Sequence, residues 1–265
     1  MTRGLVEYVV LRLARCFFFS ERVLKRIGRL VPYYRTNANE VDAHPVVELY
    51  ERSLVMSGRH LPANPVILEI GSGATNSVGY ALVQSGLSGS DARIMLFEPF
   101  AELDDAMDTR QRSGLAPGIA QRVQRVSTLQ TIPSGSVDLV LSHSVLEHVR
   151  DPVSTFGELD RVMAPSGIML HAVDYRDHFF KYPFHFLLFP KRLWDNWLDP
   201  GDLPRWRLAD HLNQLQEAGF RTEILDAQSL PEEFAKVVSR IHPDFDRADS
   251  NVAVTQATLI VSRKR

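Results

Sequence analysis

Three stretches of this sequence hold residues whose types and spacing could bind or transform a ligand. The first is LEIGSGATNS, residues 68–77, where a short apolar run gives way to Gly71-Ser72-Gly73. Two glycines one residue apart let a backbone turn tightly and come close to a bound molecule. The second is Glu98, 25 residues beyond Gly73, at the end of the apolar run 93–97. A carboxylate placed there can accept both hydroxyls of a ribose. A dinucleotide fingerprint would put a third glycine at position 76, for close approach of a helix to a pyrophosphate. Asn76 stands there instead. The pattern therefore fits a nucleoside without phosphates, and a nicotinamide-dependent oxidoreductase is the weaker alternative. The third stretch is DYRDHFF, residues 174–180, with Asp174, Asp177 and His178 as candidate catalytic groups. His178 is the best candidate base, because an unperturbed imidazole titrates near neutrality. A polar turn with Asp177 capping a helix is the competing reading of the same residues.

These residues need a scaffold, and hydrophobic patterning supplies one. Residues 66–70 (VILEI) read as a buried parallel strand, a continuous apolar run ending at glycine. Further strands are expected at 93–97, 122–126, 137–141, 168–173, 220–225 and 253–261. Helices are expected at 46–57 behind Pro45, then at 78–85, 101–112, 152–163 and 208–218, the last ending at Gly219. Pro165-Ser166-Gly167 reads as a turn. Alternating strands and helices imply an α/β fold: a doubly wound, mostly parallel sheet with helices on both faces. Ligands of such sheets bind beyond the carboxyl ends of the strands.

At four points the sequence resembles class I S-adenosylmethionine-dependent methyltransferases. They are VILEIGSG (66–73), FEPF (97–100), SVDLVLSHSVLEHVRDP (136–152) and ELDRVMAPSGIML (158–170), in matching order and spacing. VLEHV and RVMAPSG are specific to one broad branch of that family. The resemblance implies a seven-stranded Rossmann-like sheet, S-adenosyl-L-methionine as cofactor and methyl transfer as the activity. It implies that Glu69 and the backbone of Gly71, Ser72 and Gly73 hold the methionine amine and carboxylate. Glu98, followed by Pro99, would hold the ribose. Ser127 or Thr128 would sit near the adenine, and Ser142 and His143 near the sulfonium. The family often has an aspartate at the adenine amine. Here residues 125–130 read RVSTLQ, so a hydroxyl or a backbone group is expected in its place. DYRDHF, an aromatic insertion and then HLNQLQEAGF (211–220) also look like methyltransferases encoded near bacterial surface-glycan genes. The acceptor that follows is a hydroxyl of a glycan, a lipid-linked sugar or a small metabolite. A non-catalytic binding module on the same fold is the remaining alternative.

Composition bounds the rest. The chain has 265 residues and a formal net charge of −2 at pH 7. Hydrophobic residues at 45% and charged residues at 23% exclude a disordered or low-complexity chain. The near-neutral balance argues against nucleic acid as a partner. Cys16 is the only cysteine, which excludes an internal disulfide or a CxxC motif and favours a reducing, cytoplasmic setting. No metal site is expected, because Glu147 and His148 are neighbours that would point in different directions on a helix. His171 falls in a strand, where a buried, hydrogen-bonded role is expected.

The charge is uneven, +5 over residues 1–40 and −7 over the remainder. Residues 1–44 are expected to form a basic amphipathic helical extension, and 45–265 the catalytic domain. In helical projection Arg12, Arg15, Arg22, Lys25, Arg26 and Arg29 share an arc of about 140°, opposite Leu5, Val6, Val9, Val10, Leu13 and Phe17. The apolar run 5–19 is too short to span a membrane. Such a helix packs on the domain or on a second subunit, or it lies on the inner face of an anionic membrane. An insertion at 175–206 holds ten of the 24 aromatic residues, among them Trp194, Trp197 and Trp206. It reads equally as a wall for a large acceptor and as an extra packed layer.

Overall fold

Seven strands pair into one sheet in the computed structural model, which describes residues 3–18, 42–87, 89, 91–178, 181–199, 201 and 203–264. They are β1 (Val66–Ile70), β2 (Arg93–Phe97), β3 (Val123–Val126), β4 (Val137–His143), β5 (Met163–Asp174), β6 (Phe220–Ser229) and β7 (Val254–Arg263). The order across the sheet is β3-β2-β1-β4-β5-β7-β6. Strand β7 runs antiparallel to both its neighbours, and the other pairings are parallel. The chain winds outward from β1 to β3 and then returns to β4. The switch point, and with it the natural ligand crevice, lies between the ends of β1 and β4.

The helices are α1 (Arg3–Phe17), α2 (His44–Ser57), α3 (Ser77–Gln84), α4 (Asp105–Ser113), α5 (Pro152–Val162) and α6 (Leu208–Glu217). Helix α2 buries Val47, Tyr50 and Leu54, the stripe expected of its spacing. Helix α5 opens at Asp151, whose side chain accepts the Ser154 amide hydrogen at 3.0 Å, with Pro152 in the first turn. One face of the sheet carries an apolar layer of Leu68, Val140, Phe156, Leu159, Met169 and Leu215. The other carries Tyr50, Ile67, Leu82, Ile94, Leu139 and Leu170.

Two expected boundaries move, each for a local reason. Helix α4 starts at Asp105 rather than 101, because Glu98 captures the amide hydrogens of Phe100 and Ala101 and holds them out of a helix. Asp104 then caps the helix by accepting from Met107 at 3.0 Å. Pro165-Ser166-Gly167 lies within β5 rather than before it. The register there jumps from Val137 opposite Met163 to Leu139 opposite Ile168, so the expected turn is an irregularity in one long strand.

The aromatic insertion builds a third core. Phe184, Phe186, Leu187, Trp194 and Leu198 pack with Tyr8 of α1 and with Val237, Ile241 and Val252. Of its two readings, the extra packed layer is the one realised by these residues. Trp197 departs from it, being 56% exposed.

Helix α1 packs on this layer, turned from the amphipathic expectation: Val9 and Leu13 of the apolar arc pack on it, but so does an arginine. Arg12 is inside, 2% exposed, and Val6, Val10, Phe17 and Phe18 are outside, at 47%, 59%, 59% and 77%. The reason is Asp177, wholly buried in the layer. Arg12 pairs with its carboxylate and Tyr8 donates its hydroxyl hydrogen to it. The Arg12 guanidinium also lies 4.6 Å from the centre of the Trp194 ring. A buried carboxylate demands a cation more strongly than two valines demand burial. Arg22, Lys25, Arg26 and Arg29 lie outside the described residues. Among the described residues no helix is long and apolar enough to cross a membrane.

Candidate active site

Strand β1 delivers the glycine turn to the switch point. Gly71 has φ 79°, and a Cβ there would lie 2.2 Å from Val145 Cγ2. The loops after β1 and β4 thus touch, and only hydrogen fits between them. Gly73 has φ 69°, and a Cβ on it would meet nothing within 4 Å, so this side of the turn is open. Just upstream, Glu69 is 2% exposed. Its Oε1 accepts the Tyr50 hydroxyl hydrogen at 3.5 Å, and its Oε2 has no hydrogen-bond partner among the described residues. Burial pushes its carboxyl up to about 8, with the Tyr50 hydrogen bond opposing and Glu98 adding to the rise. An orphaned carboxyl oxygen beside an open glycine turn fits the ammonium end of an amino acid.

This has a consequence for stability. The folded-state pKa lies above the ordinary 4.5, so ionisation of Glu69 opposes folding as pH rises from 4.5 to about 8. Glu69→Gln is therefore expected to gain stability over the wild type by a margin that grows across that window. The slope is at most about 1.4 kcal/mol per pH unit. Urea denaturation at steps through the window measures it, and a margin independent of pH would count against the assignment.

Glu98 acts first as a clamp. Its Oε2 accepts the Gly73 amide hydrogen at 3.0 Å, and its Oε1 accepts those of Phe100 and Ala101 at 2.8 and 3.0 Å. An ionised carboxylate offers about four acceptor positions, so about one remains. The expectation that it takes both ribose hydroxyls is thereby reduced to one. Pro99 is exposed, and Phe100 is 94% exposed beside it. Ser127 is exposed at the end of β3. Thr128, half-buried, accepts the Gln130 amide hydrogen at 3.4 Å and caps the turn Leu129–Thr131.

Two residues that sequence reasoning missed complete this half of the site. Arg125 donates to the carbonyls of Gly73 and Ala101 at 2.7 and 3.0 Å, tying the glycine turn to the loop after β2. Asp108 accepts the Asn76 amide hydrogen at 3.2 Å and the Tyr80 hydroxyl hydrogen at 3.0 Å. The start of α3, where a pyrophosphate would sit, already faces a carboxylate. That geometry argues against a dinucleotide more directly than the missing glycine does.

The ends of β4 and β5 form the other half. Ser142 is wholly buried, its hydroxyl 2.7 Å from His171 Nδ1. Only its backbone can line the crevice. Burial holds the His171 ring down at about 3, so it stays neutral, as its strand position suggested. His143 is exposed, yet desolvation by its surroundings lowers its pKa, with Asp174 opposing. Ser144 follows with φ 54°, uncommon for a residue other than glycine, and donates to the Ala172 carbonyl at 2.8 Å.

Of the three candidate catalytic groups, the structure separates one from the others. Asp177 is wholly buried against Arg12 and Tyr8, so its carboxylate anchors α1 and is not turned to an acceptor. Asp174 is 9% exposed and engaged by Arg176, with Nε at 2.9 Å and Nη2 at 2.6 Å. His178 is half-buried, its ring centre 4.8 Å from that of His148. Glu147 joins them. Residues Leu146–His148 form a 3-10 turn rather than an α-helix. One ligand atom each of Glu147, His148 and His178 lies within 4.8 Å of the other two. The expectation that neighbouring Glu147 and His148 must point apart does not hold on that turn.

Residues 68–171 match a family model described as a methyltransferase domain. No curated protein sequence matches the chain. Among solved structures, a phosphoethanolamine N-methyltransferase 2 from Haemonchus contortus, in complex with phosphomonomethylethanolamine and S-adenosylhomocysteine, superposes with a TM-score of 0.54 at 11% identity. It covers 97% of this chain and 60% of its own. A SAM-dependent methyltransferase from Aquifex aeolicus gives 0.52 at 12% identity, over 92% and 98%. The YcgJ protein from Bacillus subtilis gives 0.51 at 17%, over 81% and 99%. These likenesses establish the fold. With the matched segment they support an S-adenosylmethionine-dependent methyltransferase. The methyltransferase domain that carries this assignment is residues 68–171, which begins inside β1 and ends inside β5.

Proposed function

We propose that this enzyme methylates a hydroxyl of a glycan, a lipid-linked sugar or a small metabolite. Bound S-adenosylmethionine supplies a methyl group already activated on a sulfonium, so the chain must align an acceptor and take its proton. The observation that carries the hydroxyl reading is the pair of imidazoles, His148 and His178, 4.8 Å apart beyond β4 and β5. An imidazole is the side chain best suited to accepting a proton near neutral pH. On the cofactor side we assign Glu69 to the methionine ammonium and, within the Gly71-Ser72-Gly73 turn, the Ser72 amide to its carboxylate, since the Gly71 and Gly73 amides already donate to the Phe97 carbonyl and to Glu98. Glu98 takes one ribose hydroxyl, and Phe100 offers its ring to the adenine beside Ser127 and Thr128. The His143 backbone stands near the sulfonium, and Asp174 positions Arg176 at the rim.

The lipid-linked acceptor is the version we favour. Val6, Val10, Phe17 and Phe18 present an apolar surface on α1, and the Phe17 ring lies 6.2 Å from that of exposed Trp197. Exposed Lys191 and Arg192 lie on the helical turn that precedes the one carrying Trp197. Aromatic and basic side chains together suit the inner face of an anionic membrane. The test is transfer of labelled methyl from S-adenosylmethionine to pooled glycans, lipid-linked sugars and small alcohols. Label in a lipid-extractable sugar, reduced roughly 100-fold in His178→Asn, is the expected result. Label confined to amines would sink the hydroxyl reading.

A further inference from the structure

We infer that Glu147, His148 and His178 form a binding site for a divalent transition-metal ion, zinc being the one they suit best. Two imidazoles and one carboxylate are the donor set of open catalytic zinc sites, which keep a position for water or substrate. The ligand atoms lie within 4.8 Å of one another, against roughly 3.3 Å between donors around tetrahedral zinc.

An independent observation points to a ligand at the same place. Glu147 is 2% exposed, and its Oε1 accepts the Asp174 amide hydrogen at 3.4 Å. Its Oε2 has no hydrogen-bond partner among the described residues. A carboxylate oxygen kept from water without a donor is costly, and a cation removes that cost. The Asp174 carboxylate does not compete for the role, because Arg176 engages both its oxygens.

The site has a built-in side for oxygen ligands. Three protein donors leave coordination open, and the cation makes the proton of a bound hydroxyl easier to remove, so that with metal bound the imidazoles act as ligands and the proton passes to water rather than to either of them. The acceptor would then be an alcohol or a vicinal diol of a sugar. That use of the metal rests on the hydroxyl-acceptor reading, whereas the site itself does not.

The test uses the full-length, untagged chain, stripped with a chelator and dialysed. Zinc is titrated by calorimetry, and cobalt by visible absorption, whose bands report imidazole ligation. One equivalent of each is expected, with His148→Asn and His178→Asn each weakening zinc at least tenfold. S-adenosylhomocysteine binding, measured on the same samples, confirms that the variants are folded. Zinc heats equal to the dilution blank, or equal affinity in all variants, would overturn the site. Metal bound without methyl transfer to any hydroxyl keeps the site and removes the acceptor reading. Methyl transfer to a hydroxyl by protein that binds no metal does the reverse.

Discussion

Replacing Asp177 with alanine is expected to destabilise the protein by about 3–5 kcal/mol, the cost of leaving a buried cation without its partner. Arg12 is 2% exposed and Asp177 wholly buried, so water cannot take over either role. The same change removes the acceptor of the Tyr8 hydroxyl, which is itself wholly buried. Urea denaturation measures the loss. Limited proteolysis locates it, because α1 is the element whose docking depends on the pair, and new cleavage should fall within residues 3–18. The double replacement Arg12→Met with Asp177→Leu is expected to recover most of the stability, since an apolar pair needs no compensation there. S-adenosylhomocysteine affinity should be unchanged in the double variant. An Asp177→Ala enzyme of wild-type stability with lost methyl transfer would return Asp177 to the catalytic set.

Gly71→Ala should be the most damaging change at the cofactor site. Two costs combine. The left-handed φ of 79° disfavours any residue with a Cβ by about 1–2 kcal/mol. The new methyl would also sit 2.2 Å from Val145 Cγ2, an overlap costing about 1–3 kcal/mol to relieve. Relief comes only by parting the loops after β1 and β4, which moves the backbone that must hold the cofactor. S-adenosylhomocysteine binding should fall by at least about tenfold, the equivalent of 1.4 kcal/mol. Val145→Ala in the same chain should restore the packing part and leave the backbone part. Calorimetry and thermal melts on the two single variants and the double variant form a closed cycle. Full rescue by Val145→Ala would show that φ contributes nothing, and no rescue would show that the contact does not matter.

The sheet was largely legible because its strands are continuous apolar runs. Residues 66–70 and 93–97 form strands over the expected bounds, since each is bracketed by residues that cannot extend it. Helix α4 was misplaced because two carboxylates compete for neighbouring amides, and spacing does not reveal that Glu98 takes its share first. Glu69, Gly71, Gly73 and Glu98 were legible as a set because their meaning lies in local order. Arg125 and Asp108 were not, because each acts on a loop it does not belong to. The burial of Arg12 on α1 could not be read from its helical projection. Its cause lies 165 residues downstream, at Asp177.

That separation also has a meaning in time. Helix α1 leaves the ribosome well before Asp177 and Trp194. At roughly 5–20 residues per second, 165 residues take about 8–33 s to synthesise. Through that interval Arg12 and Tyr8 have no docking place, and Val6, Val10 and Phe17 are as open as they will be in the finished protein. Helix α1 must wait for partners translated long after it. Nascent chains that stop short of the aromatic layer should present a free apolar helix to whatever chaperone or lipid surface they meet first.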